Sequence, residues 1–244
     1  MISVRALTTH PEFNGAVRLQ QEIWGYDEIE LLPERLFVVA TKIGGQAFGA
    51  YEGERMVGFC LAIPGLKPGG QYYLHSHMLG VRREFRNHGV GRMLKLKQRE
   101  DAVSRGIALI EWTFDPLEIK NAYFNMERLG AIVRRYVQNQ YGTTSSHLHG
   151  GLPTDRCTAE WWLESSRVKT VLEGKPADRA PIGARISVPS NIGKLREKDP
   201  AKAREIQLRI SEEFREAFDK NLAVTGFERT DDAGTYLLGP WQFS

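Results

Sequence analysis

The sequence predicts an α+β fold, and three observations carry that prediction. Strand-like and helix-like segments alternate over the first 142 residues, three strands in the middle follow one another directly and look antiparallel, and a glycine turn joins the last of them to a long helix. At 244 residues the chain is longer than one average domain and shorter than two. Apolar residues make up 41% and charged residues 26%, the composition of a soluble globular protein.

Ile2 to Leu7 reads as a short strand, with Thr8, Thr9 and Asn14 as turn or cap residues. Phe13, Val17, Leu19, Ile23 and Trp24 then space out an amphipathic helix that Gly25 ends. Pro33 opens a second helix, LPERLFVVATKIGG, closed by Gly44 and Gly45. Strands from Ala47 to Tyr51 and from Met56 to Ile63 flank the turn Glu52-Gly53-Glu54-Arg55, and the loop from Pro64 to Gly70 leads into a third strand, Tyr72 to Val81. The next helix runs to about Ser104 and stops at Gly106. Ile107 to Trp112 is a buried-looking strand that Asp115-Pro116 breaks. Leu117 to Leu129 is a helix ended by Gly130, and Ala131 to Gln140 alternates as a strand before the turn Tyr141-Gly142.

The remainder carries less information. A polar loop from Thr143 to Asp155 holds His147 and His149, and strands are expected at Cys157 to Leu163 and Ala184 to Pro189. Asp199-Pro200 opens a helix to about Phe218 with the stripe Ala203, Ile206, Ile210, Phe214 and Ala217, followed by a closing pair of strands, Val224 to Glu228 and Thr235 to Leu238.

Several function classes recede on composition alone. A net charge of +3 does not imply nucleic acid, which needs a concentrated basic face with aromatic residues interleaved. The stretch with Arg82, Arg83, Arg86, Arg92, Lys95, Lys97, Arg99 and Arg105 is locally basic and reads mostly as a solvated helix face, some of it able to attract the anionic tail of a nucleotide cofactor. Cys60 and Cys157 stand far apart without a metal-ligand spacing, so both read as reduced and packed, as in a cytoplasmic protein. No segment approaches a membrane span or a signal peptide, so no membrane partner is expected.

The stretch LGVRREFRNHGVGRML, Leu79 to Leu94, organises the rest. An apolar strand end is followed by Arg86-Asn87-His88-Gly89-Val90-Gly91 and a helix start. Gly89 and Gly91 lack a Cβ, so a ligand can approach the backbone, and first-turn amides at the positive end of the helix dipole can hold a phosphate. Arg86-x-x-Gly89-x-Gly91, five residues after Val81, resembles the acyl-CoA-binding signature of the GNAT acetyltransferase superfamily, and the order of elements resembles that fold over residues 1–142. There is no third glycine for a dinucleotide fingerprint and no Gly-Lys-Ser/Thr for a nucleotide P-loop.

The resemblance implies a central mixed, mostly antiparallel sheet flanked by helices, with acetyl-CoA or another acyl-CoA as co-substrate and no metal. It implies that the backbone around Leu79 and Val81 bonds the pantetheine arm, that Arg86, Asn87, His88, Gly89, Val90 and Gly91 hold the pyrophosphate, and that the helix around Asn121 closes the other side. Residues 143–244 resemble the extension of a GNAT branch that carries a Pro-Thr-Asp-Arg loop followed by Glu-Trp, here Pro153 to Arg156 and Glu160-Trp161. This extension is expected to complete the fold rather than form an independent domain. The acceptor would be a primary amine of a small molecule or a peptide, and a homodimer stays open.

Residues for the chemistry follow from acyl transfer by direct attack, which needs an ammonium deprotonated and a thiolate protonated. Period-two alternation puts Tyr73, His75, His77 and Leu79 on one face of their strand, so His77 is a candidate base, beside the readings of a packed histidine and of an H-x-H metal pair, which lacks a third ligand. Glu111, in an otherwise apolar strand, is either paired or functional, or else a strand-end residue facing water. In the GNAT family a tyrosine four residues before the glycine that ends the fourth helix commonly protonates the thiolate. That position is Met126 here, leaving Tyr123, one turn earlier, as the candidate or as a packed residue. Arg156 and Glu160 would bind the acceptor, Arg156 by clamping a carboxylate, or form a structural ion pair. The leading expectation is an N-acyltransferase; the alternative is a non-catalytic module that binds or senses acyl-CoA, favoured by Met126 and by the lack of one obvious base.

Overall fold

The computed structural model describes residues 1–142 and 152–241. Residues 143–151 of the expected polar loop, with His147 and His149, lie outside the described residues. The chain divides between Glu111 and Trp112 into two compact units.

The first unit holds β1 (Ile2–Ala6), α1 (His10–Trp24), α2 (Glu34–Lys42), β2 (Gln46–Glu52), β3 (Arg55–Leu66), β4 (Tyr72–Val81), α3 (Val90–Ser104) and the start of β5 (Leu109–Phe114). Its strands lie in the order β1-β2-β3-β4-β5, antiparallel as far as β4 and parallel from β4 to β5, because α3 is the crossover that a parallel pair requires. The start of α1 is fixed by Glu12, whose carboxylate accepts the amides of Thr8 at 2.8 Å and Thr9 at 2.9 Å and pairs with Arg5. Burial alone would raise its pKa, but these donors outweigh it and hold the carboxyl at about 2.

One face of the sheet buries Phe59 and Leu61 against Phe13 and Leu19 of α1 and Phe37 of α2. The other buries Phe48, Val57 and Cys60 against Val90 and Leu94 of α3. With both faces covered, β2 is buried at every residue but its last.

β4 departs from the simple alternation expected of it. Leu61 faces Met78 while Ala62 faces Ser76, so His77 is an extra residue, a β-bulge. The bulge reverses the phase: Leu79 and Val81 pack on the α3 side, whereas Met78 joins the cluster beneath α1 and α2. Leu79 therefore does not share the face of His75 and His77, whose rings remain neighbours with centroids 5.9 Å apart.

The second unit continues through α4 (Ile119–Tyr123), a π-helical turn (Phe124–Arg128), β6 (Ile132–Val137), β7 (Arg156–Trp162), α5 (Ser166–Leu172), β8 (Ala184–Pro189), α6 (Ile192–Lys198), α7 (Pro200–Asp219), β9 (Leu222–Arg229) and β10 (Ala233–Pro240). Its strands β7-β6-β9-β10-β8 are antiparallel throughout. The expected helix from Leu117 to Leu129 is thus shorter and ends in a wider turn. The seven-residue helices α5 and α6 were not expected, since two turns give too few positions for a periodic pattern to register. The stripe on α7 is buried as predicted, with Phe214 packed on Tyr236 and Tyr136 at centroid distances of 5.0 and 5.3 Å. Among the described residues no helix is long and apolar enough to cross a membrane.

Candidate active site

Two structures in the first unit converge on one edge of β4. The first is the turn into α3. Asn87 and Gly89 both take left-handed backbone angles, φ 65° and 80°, which folds the chain back within a few residues of Val81. A Cβ at Gly89 would meet no protein atom within 4 Å, so the glycine serves the backbone angle and leaves its outer side open. The first turn of α3 is closed by Met93 N–H to Gly89 O at 3.0 Å, and the amides before it stand at the positive end of a fifteen-residue helix. Asn87 and His88 are exposed, Val90 is buried against the sheet, and Gly91 lies beside Leu79.

Cationic side chains crowd the same end. Arg86 Nε donates to Val81 O at 3.1 Å, and Arg82 donates to Met56 O at 3.0 Å and pairs with Glu22. With Ile23, Arg83 and Glu84 they line a cavity of about 460 Å³ whose three guanidinium groups suit an anion.

The second structure is the β4–β5 junction. β4 is in register with β5 only over Leu74↔Ile110 and His75↔Glu111, so within this unit the β5-side edge of Ser76 to Val81 has no strand partner. That edge, which includes Leu79 and Val81, can bond an extended amide chain as a strand would. At its closed end lies Glu111, 3% exposed and paired with Lys67. The reading of Glu111 as a strand-end residue facing water is corrected: it is buried, and its burial is compensated by a cation. Lys67 sits in the β3–β4 turn, with its N–H bonded to Gln71 O at 2.9 Å and its ammonium 5.4 Å from the Tyr73 ring centroid.

His75 stands beside Glu111 in the register and His77 occupies the bulge. Desolvation lowers the pKa of His77 below its ordinary value although the residue is exposed, so the neutral imidazole prevails near pH 7. Behind the bulge Lys95, 3% exposed, donates to Ser76 Oγ at 2.8 Å, and Ser76 donates to Gln98 Oε1 at 3.0 Å. Burial lowers the Lys95 pKa to about 7. Lys95 is the exception to the mostly solvated basic face expected of α3: there the helix turns a lysine inward.

The thiols are chemically quiet. Burial pushes Cys60 up to about 12 and holds Cys157 well above the ordinary thiol value. Among the described residues no group of three or more His, Cys, Asp or Glu side chains converges on a metal position.

The remaining candidates belong to the second unit. Asn121 is exposed on α4, and Tyr123 is half-buried with the Arg229 guanidinium 5.4 Å from its ring centroid. Met126 is fully buried in the π-helical turn. Arg156 donates to Asp155 O at 2.9 Å and lies 5.3 Å from the centroid of the Tyr141 ring. Glu160 is 2% exposed, accepting from Arg134 at 2.6 Å and Trp162 Nε1 at 3.3 Å. In the Pro153 to Arg156 loop, Asp155 accepts Tyr136 Oη at 2.6 Å and the Asn139 amide at 2.9 Å, so this motif anchors the two ends of the β6–β7 connection.

Sequence reasoning missed Lys67 and Lys95. Lys67 left no signal, because a lysine in a Pro/Gly turn reads as solvated. Lys95 left a faint one, at the spacing of Gln98 and Ala102 on the buried face.

The sequence model of the Acetyltransferase (GNAT) family matches residues 13–130. Comparison with curated proteins gives no sequence match. Among solved structures, the ribosomal-protein-S18-alanine N-acetyltransferase from Escherichia coli is similar at 16% identity and a TM-score of 0.54, over 68% of this chain and 96% of that one. Arabidopsis thaliana Naa50, in complex with the bisubstrate analogue CoA-Ac-MVNAL, is similar at 15% identity and a TM-score of 0.52, over 65% and 97%. A GNAT-family acetyltransferase from Streptococcus pneumoniae gives 11% identity and a TM-score of 0.53, over 66% and 98%. At these identities the likeness to solved structures is one of fold; the family match makes residues 13–130 a GNAT acetyltransferase domain, with the glycine turn at the start of α3 inside it.

Proposed function

We propose that the enzyme moves an acetyl or short acyl group from CoA to a primary amine of a small molecule or peptide by direct attack. The observation that carries this reading is the unpartnered edge of β4, which runs from a buried carboxylate, Glu111, to the glycine turn at α3. The amides from Arg86 to Gly91 hold the pyrophosphate, with Arg82 and Arg83 nearby, and the backbone of Leu79 and Val81 bonds the pantetheine amides. Glu111 accepts the proton of the incoming ammonium, which takes the place of Lys67 Nζ, and neutral His77 can relay that proton to solvent. A complex of the Arabidopsis protein with a CoA–peptide analogue supports an amine-bearing acceptor. Asn121 and Tyr123 toward the cofactor, and Arg156 and Glu160 toward the acceptor, belong to the same proposal and are tested singly. Two buried thiols without a disulfide support a cytoplasmic setting.

Thermal unfolding with acetyl-CoA tests the site. At about 100 times its Kd the ligand adds roughly 2.7 kcal/mol to the native state, and Gly89→Glu, which puts a carboxylate where the pyrophosphate would lie, removes that gain. A wild type left unshifted by acetyl-CoA and by longer acyl-CoAs refutes the proposal. The second reading, a sensor that binds acyl-CoA without turnover, is favoured by buried Met126 at the position where a tyrosine is common in the GNAT family. Release of free CoA with a panel of amines separates the two.

A further inference from the structure

We propose that Lys67 is an acyl acceptor of its own chain, a self-acylation site built into the β3–β4 turn. The inference rests on the acyl-CoA reading above and goes beyond it by naming an amine. A lysine in an exposed Pro/Gly turn ordinarily points to water, where its ammonium is best solvated. Here the turn is closed on both sides of Lys67, by its own N–H to Gln71 O at 2.9 Å and by Gly70 N–H to its carbonyl at 3.0 Å. The side chain runs inward past the Tyr73 ring to a carboxylate whose side chain is 4% exposed, while its own is 23% exposed. The amine is thereby presented to the group expected to deprotonate an acceptor, at the residue where the β4–β5 pairing stops and the open edge begins.

The step balances without a further reactant. Glu111 takes one proton from the Lys67 ammonium; the amine lone pair attacks the thioester carbonyl carbon, the N–C bond forms, the C–S bond breaks, and the second proton, shed by the nitrogen as it becomes an amide, passes to the departing thiolate to give CoA. The product amide carries no charge, so Glu111 is released from its ion pair. Holding amine and base together in one chain makes the reaction unimolecular once acyl-CoA is bound.

The test is to incubate the full-length protein with acetyl-CoA and map acetylated lysines by mass spectrometry over time. One acetyl group per chain is expected at Lys67, at a first-order rate that does not change when the protein is diluted. That rate should exceed Lys67 acetylation in the urea-unfolded chain by at least about tenfold and fall about 10²-fold in Glu111→Gln. Lys67→Arg, which keeps the charge, should lose the site and leave the other lysines as they were. Acetylation spread over lysines according to exposure, with Lys175 at 68% ahead of Lys67, overturns the inference, as does a Lys67 rate that scales with protein concentration. Thermal stabilisation by acetyl-CoA with Lys67 unmodified overturns this inference alone; no stabilisation overturns the acyl-CoA reading with it.

Discussion

Glu111 in the first unit and Glu160 in the second are buried to the same degree, at 3% and 2% exposure, yet their ion-pair partners differ in kind. Glu160 is held by the Arg134 guanidinium, with Arg135 at 3.7 Å and the Trp162 indole on the same carboxylate. Glu111 is paired with a lysine carried on a turn. A guanidinium is a rigid fork that fixes a carboxylate in place, whereas an ammonium is a compact charge that another ammonium can replace. The first unit thus keeps a buried carboxylate exchangeable, and the second fastens one down.

Substitution can break that comparison. Glu111→Gln should lower kcat about 10²- to 10³-fold in an acetyl-CoA and amine assay, with acetyl-CoA still shifting the unfolding temperature. Glu160→Gln should instead cost roughly 2 kcal/mol in urea unfolding, because the buried carboxylate that accepts from Arg134 and Trp162 loses its charge. A raised acceptor KM at unchanged stability would place Glu160 with the substrate.

Lys95 gives the next effect. Its folded pKa of about 7 lies below the ordinary 10.5, so the unfolded chain binds the extra proton between those values and stability should rise with pH across that window. From pH 7 to pH 9 the gain is about 2 kcal/mol, read by urea unfolding at the two pH values, and Lys95→Met should abolish the slope. A slope that survives the substitution would mean that the buried lysine does not titrate there.

His77 should have a smaller effect. Because its pKa is lowered, its base form survives below the ordinary 6.5, and the acid limb of kcat/KM should lie below that pH. His77→Gln should reduce kcat roughly tenfold and move that limb; an unchanged profile assigns the proton to another route.

Glu12, remote from the site, tests the scaffold. Its carboxyl is held at about 2 against 4.5, so its contribution is full above pH 4.5 and is lost as pH falls toward 2. Glu12→Gln should cost about 1 kcal/mol at pH 7 and nothing at the acid end, measured by chemical unfolding.

The legible part of this protein is the part written in neighbouring residues. The glycine turn needs φ values that few residues adopt, so Gly89 announces itself. The α7 stripe repeats at helical spacing over 20 residues, enough to be read. The faces of β4 could not be read that way, because a bulge depends on the partner strand's register and one added residue reverses every side chain after it. For the same reason Leu79 was expected beside His77 and lies on the other side.

The sequence by itself determined the α+β class, the strand–turn–helix around Gly89, and the candidacy of Glu111, because all three rest on local backbone geometry or on a charge set in an apolar run. Only the tertiary structure decided what Glu111 is paired with, that Lys95 points inward, and that the Pro153 to Arg156 loop ties the ends of β6 and β7. Those depend on which side chains meet across 44 residues between Lys67 and Glu111 or 19 between Ser76 and Lys95, and long-range contacts are set by packing rather than by any local preference.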